Sequence, residues 1–172
     1  GVLAGSNELM TPVADLLEMS GPITDPNTSF LLERGLKTLG IRVEAHNRNG
    51  QLVAEFLESH PKIEKTYYPG LESHPDHQVA GRLMAGYGGV VTFLVKGGLQ
   101  ETLDFIDRTT IPYLSPSLGG VESIIDPVAP MSFWKMSREE RESIGMFDNL
   151  VRLATGIEDP EDIIADLKQA LE

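Results

Sequence analysis

Two groups of residues in this chain carry more chemistry than packing requires. The first is Ser115-Pro116-Ser117-Leu118-Gly119-Gly120-Val121-Glu122-Ser123. Ser117 opens a turn there, and the two glycines leave backbone N–H groups free to meet an anion. The second is Arg152, set in Leu150-Val151-Arg152-Leu153-Ala154-Thr155-Gly156, a run that otherwise reads as a buried strand. A guanidinium keeps its charge, so in such a place it needs a carboxylate or phosphate partner. Together the two groups suggest a socket for the carboxylate of a small molecule, an enzyme-type arrangement. The competing reading of Arg152 is a structural salt bridge with one of the many acidic residues, and these residues alone leave that choice open.

Other constellations have simpler readings. There is no G-x-S-x-G elbow and no histidine near Ser117 in sequence, which argues against a serine nucleophile. His74-Pro75-Asp76-His77 places two imidazoles beside a carboxylate. Its proline and the preceding Pro69-Gly70 make it a surface turn, no third ligand is evident, and no metal site is expected. Gly86-Tyr87-Gly88-Gly89 precedes a strand instead of leading from a strand into a helix, so it reads as a hinge, not a phosphate loop. His46 and His60 read as surface histidines, Tyr67-Tyr68 as one core and one interface residue, and Trp134 as a loop anchor.

The elements that must position these residues follow from pattern and punctuation. Thr11-Pro12 reads as a helix start, ended by Ser20-Gly21-Pro22. Asp25-Pro26 starts another, whose helical periodicity continues to about Glu58 with glycines at 35, 40 and 50, so kinks are expected. After Pro61, strands and helices alternate: strand 63–68, helix 78–84, strand 88–95, helix 99–108, strand 111–114. A capping box at Ser137-Arg138-Glu139-Glu140 starts a helix that stops at Gly145. The Arg152 strand comes next, then a helix opened by Asp159-Pro160. Val2-Leu3-Ala4 reads as the end of a strand. The alternation implies a small sheet covered by helices.

Composition bounds the partners. The 172 residues carry 26 acidic against 14 basic side chains, a net charge of −12. That sign argues against nucleic acid or an anionic membrane as partner. Cysteine is absent, which excludes disulfides, thiolate ligands and a cysteine nucleophile. No apolar run approaches the ~20 residues of a membrane span. The chain starts without methionine and in mid-strand, as expected of a piece cut from something longer.

Gly35-Leu36-Lys37-Thr38-Leu39, Tyr68-Pro69-Gly70-Leu71 with Ser73-His74-Pro75, the 117–123 turn, and Arg152 followed by Gly156-Ile157-Glu158-Asp159 fall in one order and spacing. Over essentially the whole chain this resembles the C-terminal part of the Cys/Met-metabolism pyridoxal-phosphate enzymes. Ile111-Pro112-Tyr113, Pro116 and Met131-Ser132-Phe133-Trp134 look most like the plant-type cystathionine γ-synthase branch of that family. The resemblance implies an α/β protein with the PLP-dependent transferase type I (aspartate-aminotransferase-like) fold. Residues 1–40 would end the large PLP-binding domain and start a connecting helix. Residues 41–172 would form the small C-terminal α+β domain, a mostly antiparallel sheet with helices on one side.

The resemblance also implies roles. Arg152 would grip the substrate α-carboxylate in bidentate fashion. Ser117 would bond the same carboxylate close to the cofactor lysine, counting as substrate- and cofactor-binding, with Leu118 beside it. Ser132, where many relatives have threonine, would support the arginine. The cofactor implied is pyridoxal 5'-phosphate, with its lysine, ring-nitrogen aspartate, stacking tyrosine and phosphate ligands upstream of Gly1. None of Lys37, Lys62, Lys65, Lys96, Lys135 and Lys168 matches the lysine position, so no catalytic residue is expected in this segment, which alone would be inactive. Pro116 stands where many γ-enzymes have glutamate and β-lyases tyrosine, leaving distal specificity open.

The implied reaction is γ-replacement on an activated homoserine ester by cysteine to give cystathionine. A cystathionine or methionine γ-lyase is the sibling alternative, and a non-catalytic fragment or assembly module is the alternative of another class. The implied partners are an amino-acid substrate, the N-terminal part of the same enzyme, and further copies in a homodimer or homotetramer. Cytoplasm and chloroplast stroma are both open.

Overall fold

The computed structural model describes residues 3–172, and the chain forms two compact units, Gly1–Leu39 and Gly40–Glu172. The first holds α1 (Asn7–Ser20) and α2 (Pro26–Leu36). Asp25 caps α2 by accepting from the N–H groups of Asn27 at 2.9 Å and Thr28 at 3.1 Å, with Pro26 at the first helical position. Gly21 closes α1 in the left-handed conformation, φ 77°. The helix start expected at Thr11-Pro12 lies instead at Asn7, and Pro12 is inside α1. Pro12 removes only the bond to the Glu8 carbonyl, and in an exposed helix water can replace it. Of the expected strand end, Leu3 and Ala4 have no regular structure, and Val2 lies outside the described residues.

The helical pattern breaks at Lys37-Thr38, and α3 runs from Leu39 to Ser59. There follow β1 (Ile63–Tyr67), α4 (His77–Leu83), β2 (Val90–Val95), α5 (Leu99–Arg108), β3 (Tyr113–Leu114), β4 (Ile124–Pro127), α6 (Val128–Ser132), α7 (Arg138–Ser143), β5 (Leu150–Ala154) and α8 (Pro160–Leu171). The strands form one sheet in the order β1-β2-β5-β4-β3, antiparallel throughout except for the parallel β3–β4 pair.

Strand alternation sets which residues meet. Val91, Phe93 and Val95 of β2, Val151 and Leu153 of β5, and Ile125 of β4 join one buried cluster with Val53 and Leu57 of α3, Phe105 and Ile106 of α5, and Ile163 and Leu167 of α8. The residues between them, Thr92, Arg152 and Asp126, are therefore on the other face. The strand expected at 111–114 is shorter because the N–H groups of Thr110 and Ile111 donate to the Asp166 carboxylate, and Pro112 has no N–H to offer a neighbour. β4 and α6 are additions to the reading from sequence.

Candidate functional site

Arg152 stands in the middle of β5, a strand flanked on both sides. Its cross-strand neighbours are Thr92 on β2 and Asp126 on β4, and Tyr67 on β1 extends the row beyond Thr92. The Arg152 side chain is 22% exposed while that of Asp126 is 1% exposed, at 3.2 Å between Nη2 and Oδ2. Nη2 also donates to the carbonyls of Pro116 at 2.6 Å and Ser117 at 2.9 Å. Nε is buried without an acceptor among the described residues. The structure thus brings Arg152 and the Ser117 turn together. It also supplies the carboxylate partner that the sequence left unnamed, Asp126, whose burial raises its pKa against the opposing pull of Arg152.

The turn itself is held at its ends and open in the middle. The Ser115 N–H donates to the Ile125 carbonyl at 3.1 Å. At the far end, Ser123 is buried and donates through N–H (2.6 Å) and Oγ (2.9 Å) to the Glu158 carboxylate, while Oγ accepts from the Gly156 N–H at 2.9 Å. The buried Asn49 amide of α3 donates to the carbonyls of Gly156 at 3.0 Å and Glu158 at 2.8 Å. A Cβ at Gly156 would collide with the Glu158 carboxylate and the Val121 carbonyl, so only glycine lets the two segments approach this closely. Between these anchors Gly119 takes φ 78°. The N–H groups of Leu118, Gly119 and Gly120, and the Ser117 hydroxyl, find no partner among the described residues, and Ser117 and Leu118 are exposed. One cation beside a set of unengaged donors suits an oxyanion.

The other residues singled out in the sequence have surroundings of their own. Ser132 ends α6, is exposed, and makes no bond to Arg152 among the described contacts. His46 is not a simple surface residue: it is half-buried, its Nδ1 donates to the Thr155 carbonyl at 2.7 Å, and its Nε2 is buried without a partner. His60 is also half-buried, its ring 5.5 Å from that of Phe56. Trp134 is exposed instead of packed, with Lys135 over its ring. The Gly86–Gly89 segment leads into β2 and is pinned by Gly88 N–H donating to Asn47 (2.7 Å) and by the Tyr68 hydroxyl donating to the Gly88 carbonyl (2.8 Å). Burial pushes the Tyr68 phenol up to about 12. His77 donates to the Pro69 carbonyl and stacks on Tyr87, and among the described residues no group of side chains could hold a metal ion. The missed residues were Asp126, Asn49 and Glu158. Glu158 lay within a motif already singled out, but nothing local pointed to Asp126.

A mixed five-stranded sheet with flanking helices, presenting an arginine against a serine–glycine turn, is α/β architecture of the pyridoxal-phosphate-dependent transferase fold. The chain belongs to the Cys/Met metabolism PLP-dependent enzyme family, whose sequence model matches residues 1–172. It is 47% identical over 172 residues to chloroplastic cystathionine gamma-synthase 1 of Arabidopsis thaliana, covering all of this chain and 31% of that protein. It is 45% identical to cystathionine gamma-lyase of Dictyostelium discoideum, covering all of this chain and 45% of the relative. L-methionine gamma-lyase of Fusobacterium nucleatum subsp. polymorphum is 43% identical over 91% of this chain and 40% of its own length. The chain thus spans less than half the length of these relatives.

Pyridoxal phosphate is the cofactor of this family. Within the unit Gly40–Glu172, Lys62 donates to the Glu172 carbonyl, Lys65 lies over Tyr67 and Lys135 over Trp134, and Arg152 donates to the Pro116 and Ser117 carbonyls.

Proposed function

We propose that this chain is the C-terminal part of a pyridoxal-phosphate transsulfuration enzyme that performs γ-replacement, joining an activated homoserine ester to cysteine to give cystathionine. The observation that carries the reading is the juxtaposition of Arg152 with the Ser117 turn, a cation beside unengaged N–H and hydroxyl donors. Pyridoxal phosphate, bound by the rest of the enzyme, supplies the electron sink for bond breaking at the substrate carbon. This chain's share is to hold the α-carboxylate: Arg152 contributes the charge, and the Ser117 hydroxyl with the N–H groups of Leu118, Gly119 and Gly120 contributes neutral donors. Ser132 of α6 is a further substrate-binding residue in this reading, one that makes no bond to Arg152 among the described contacts. Residues 1–40 belong to the cofactor domain in this reading, the segment alone is inactive, and the working enzyme is a homodimer or homotetramer in the cytoplasm or chloroplast stroma.

The 47% identity to a cystathionine gamma-synthase supports the replacement reaction. The 45% identity to a cystathionine gamma-lyase supports γ-elimination as a second reading. The full-length protein, purified with its cofactor, is to be assayed in both directions. Cystathionine formed from cysteine and an acetyl, succinyl or phospho ester of homoserine supports the synthase. An oxo acid and ammonia released from cystathionine, without synthesis, supports the lyase. Neither activity in a protein with a violet cofactor band refutes both.

A further inference from the structure

Two buried aspartates of the sheet–helix unit stand in opposite circumstances. Asp166 of α8 accepts hydrogen bonds from the N–H groups of Thr110 and Ile111, the Thr110 hydroxyl and the Gln169 amide. It is a satisfied carboxylate that ties two segments together. Asp126 of β4 is as deeply buried, yet among the described residues no donor makes a hydrogen bond to either of its oxygens. Its charged contact is Arg152, at 3.2 Å. A buried carboxylate that has an ion pair but no hydrogen bonds adds little net stability to a fold, because its desolvation offsets the attraction, so structural cohesion does not account for it.

The contacts of Arg152 show what Asp126 does. The carbonyls of Pro116 and Ser117 belong to an exposed turn anchored at its two ends. Asp126 sits on a strand paired on both sides, to β5 and to β3. It is the contact of the guanidinium that cannot drift. Nη2 carries two protons and both are directed at the turn carbonyls, so an arriving carboxylate that uses this nitrogen must replace at least one of them.

We propose that Asp126 is a positioning residue for Arg152, fixing the guanidinium against the sheet so that its donors stay in place when the Pro116 and Ser117 carbonyls give way to the substrate carboxylate. This rests on the carboxylate reading of Arg152 given above. Without Asp126 the guanidinium would follow the turn, and substrate would bind to a dispersed set of donors. The effect belongs to binding and not to the chemical step.

The test uses the full-length holoenzyme. Asp126→Asn keeps the shape and removes the charge. KM for the amino-acid substrate is expected to rise roughly tenfold, with kcat within about a factor of two, the visible cofactor band unchanged and the melting temperature no lower than wild type. Arg152→Ala raises KM by itself, and adding Asp126→Asn to it brings no further rise, because Asp126 acts through the arginine. An unchanged or lowered KM in Asp126→Asn, where Arg152→Ala raises it, overturns the positioning role alone. So does an additive rise in the double variant, or a fall of kcat together with melting temperature. An unchanged KM in Arg152→Ala overturns the carboxylate reading itself. Should Asp126→Asn not fold, Asp126→Glu keeps the charge and displaces it by one methylene; a several-fold rise in KM is expected, and a wild-type KM overturns the proposal.

Discussion

Asn49 lies on α3, far in sequence from the Ser117 turn, yet the turn depends on it. Its side chain is fully buried, and its amide gives both protons to the carbonyls of Gly156 and Glu158, at 3.0 and 2.8 Å. Each such bond contributes about 1 kcal/mol net, and a buried carbonyl left without a donor costs about 1 kcal/mol or more. Asn49→Ala removes these two bonds and a longer one that Oδ1 accepts from Arg48 Nε at 3.4 Å, strands two carbonyls and opens a small cavity, for a loss of roughly 3 kcal/mol. The damage is not confined to stability. Gly156 and Glu158 hold Ser123, so loosening them frees the far end of the turn that carries Ser117. Chemical denaturation of the full-length protein, followed by circular dichroism, measures the first effect, and KM for the amino-acid substrate measures the second. Asn49→Asp separates donors from shape, since it presents an oxygen to two carbonyl oxygens. It is expected to cost at least as much as alanine at neutral pH. A loss below about 1 kcal/mol in Asn49→Ala, or a harmless Asn49→Asp, refutes the reasoning.

Arg152→Ala in the full-length holoenzyme should raise KM on the order of a hundredfold, in line with removal of one partner from a desolvated charge pair, while the visible cofactor band persists; steady-state kinetics and an absorption spectrum check both. Gly119→Ala forces a side chain into φ 78° and should lower stability by about 1 kcal/mol from backbone strain alone, since no atom lies within 4 Å of the new Cβ; a thermal melt reads it, and Gly119→Asn should lose less. For Asp166, burial works to raise the pKa, but the hydrogen bonds from Thr110, Ile111 and Gln169 outweigh it and the net shift is downward. The folded pKa being below the unfolded one, its contribution is full above about pH 4 and is lost as pH falls through the lowered value. Acid titration of stability should therefore be shallower in Asp166→Asn than in wild type, and equal slopes would refute this.

Elements with caps or long apolar runs were legible in the sequence. Asp159-Pro160 and the Ser137 capping box start helices where they were expected, the latter with Ser137 N–H donating to Glu140 at 2.8 Å. Helix α5 and strand β5 also lie where periodicity placed them. Strand β4 was not legible, because Ile124-Ile125-Asp126-Pro127 is too short to show a period and its proline reads as a breaker. Helix α6, five residues with Pro130 inside, has the same difficulty. In α1 the Thr11-Pro12 pair looked like a start because the local rule is the same one that succeeds at Asp25-Pro26; only the extra turn from Asn7 tells them apart. At the candidate site, Arg152 and Ser117 stood out by type. Asp126 did not, because the residue beside Arg152 is chosen by strand register, which is a property of the folded sheet. His46 was misread for the same reason: the Thr155 carbonyl that covers it comes from a remote part of the chain.

The position of Arg152 at the centre of β5 also bears on how the sheet assembles. Side chains alternate along a strand, so a slip of one residue against β2 and β4 would turn Arg152 into the cluster that holds Phe93 and Ile125, and turn Val151 and Leu153 out of it. Burying an uncompensated guanidinium there costs several kcal/mol, so the slipped pairings are penalised by one side chain. Apart from that residue, Leu150–Ala154 is apolar on both faces and would fit either way round. Replacing Arg152 by leucine would thus do more than remove a charge. It would erase the mark that distinguishes the two registers and leave an ambiguous apolar segment exposed to mispairing while the chain folds.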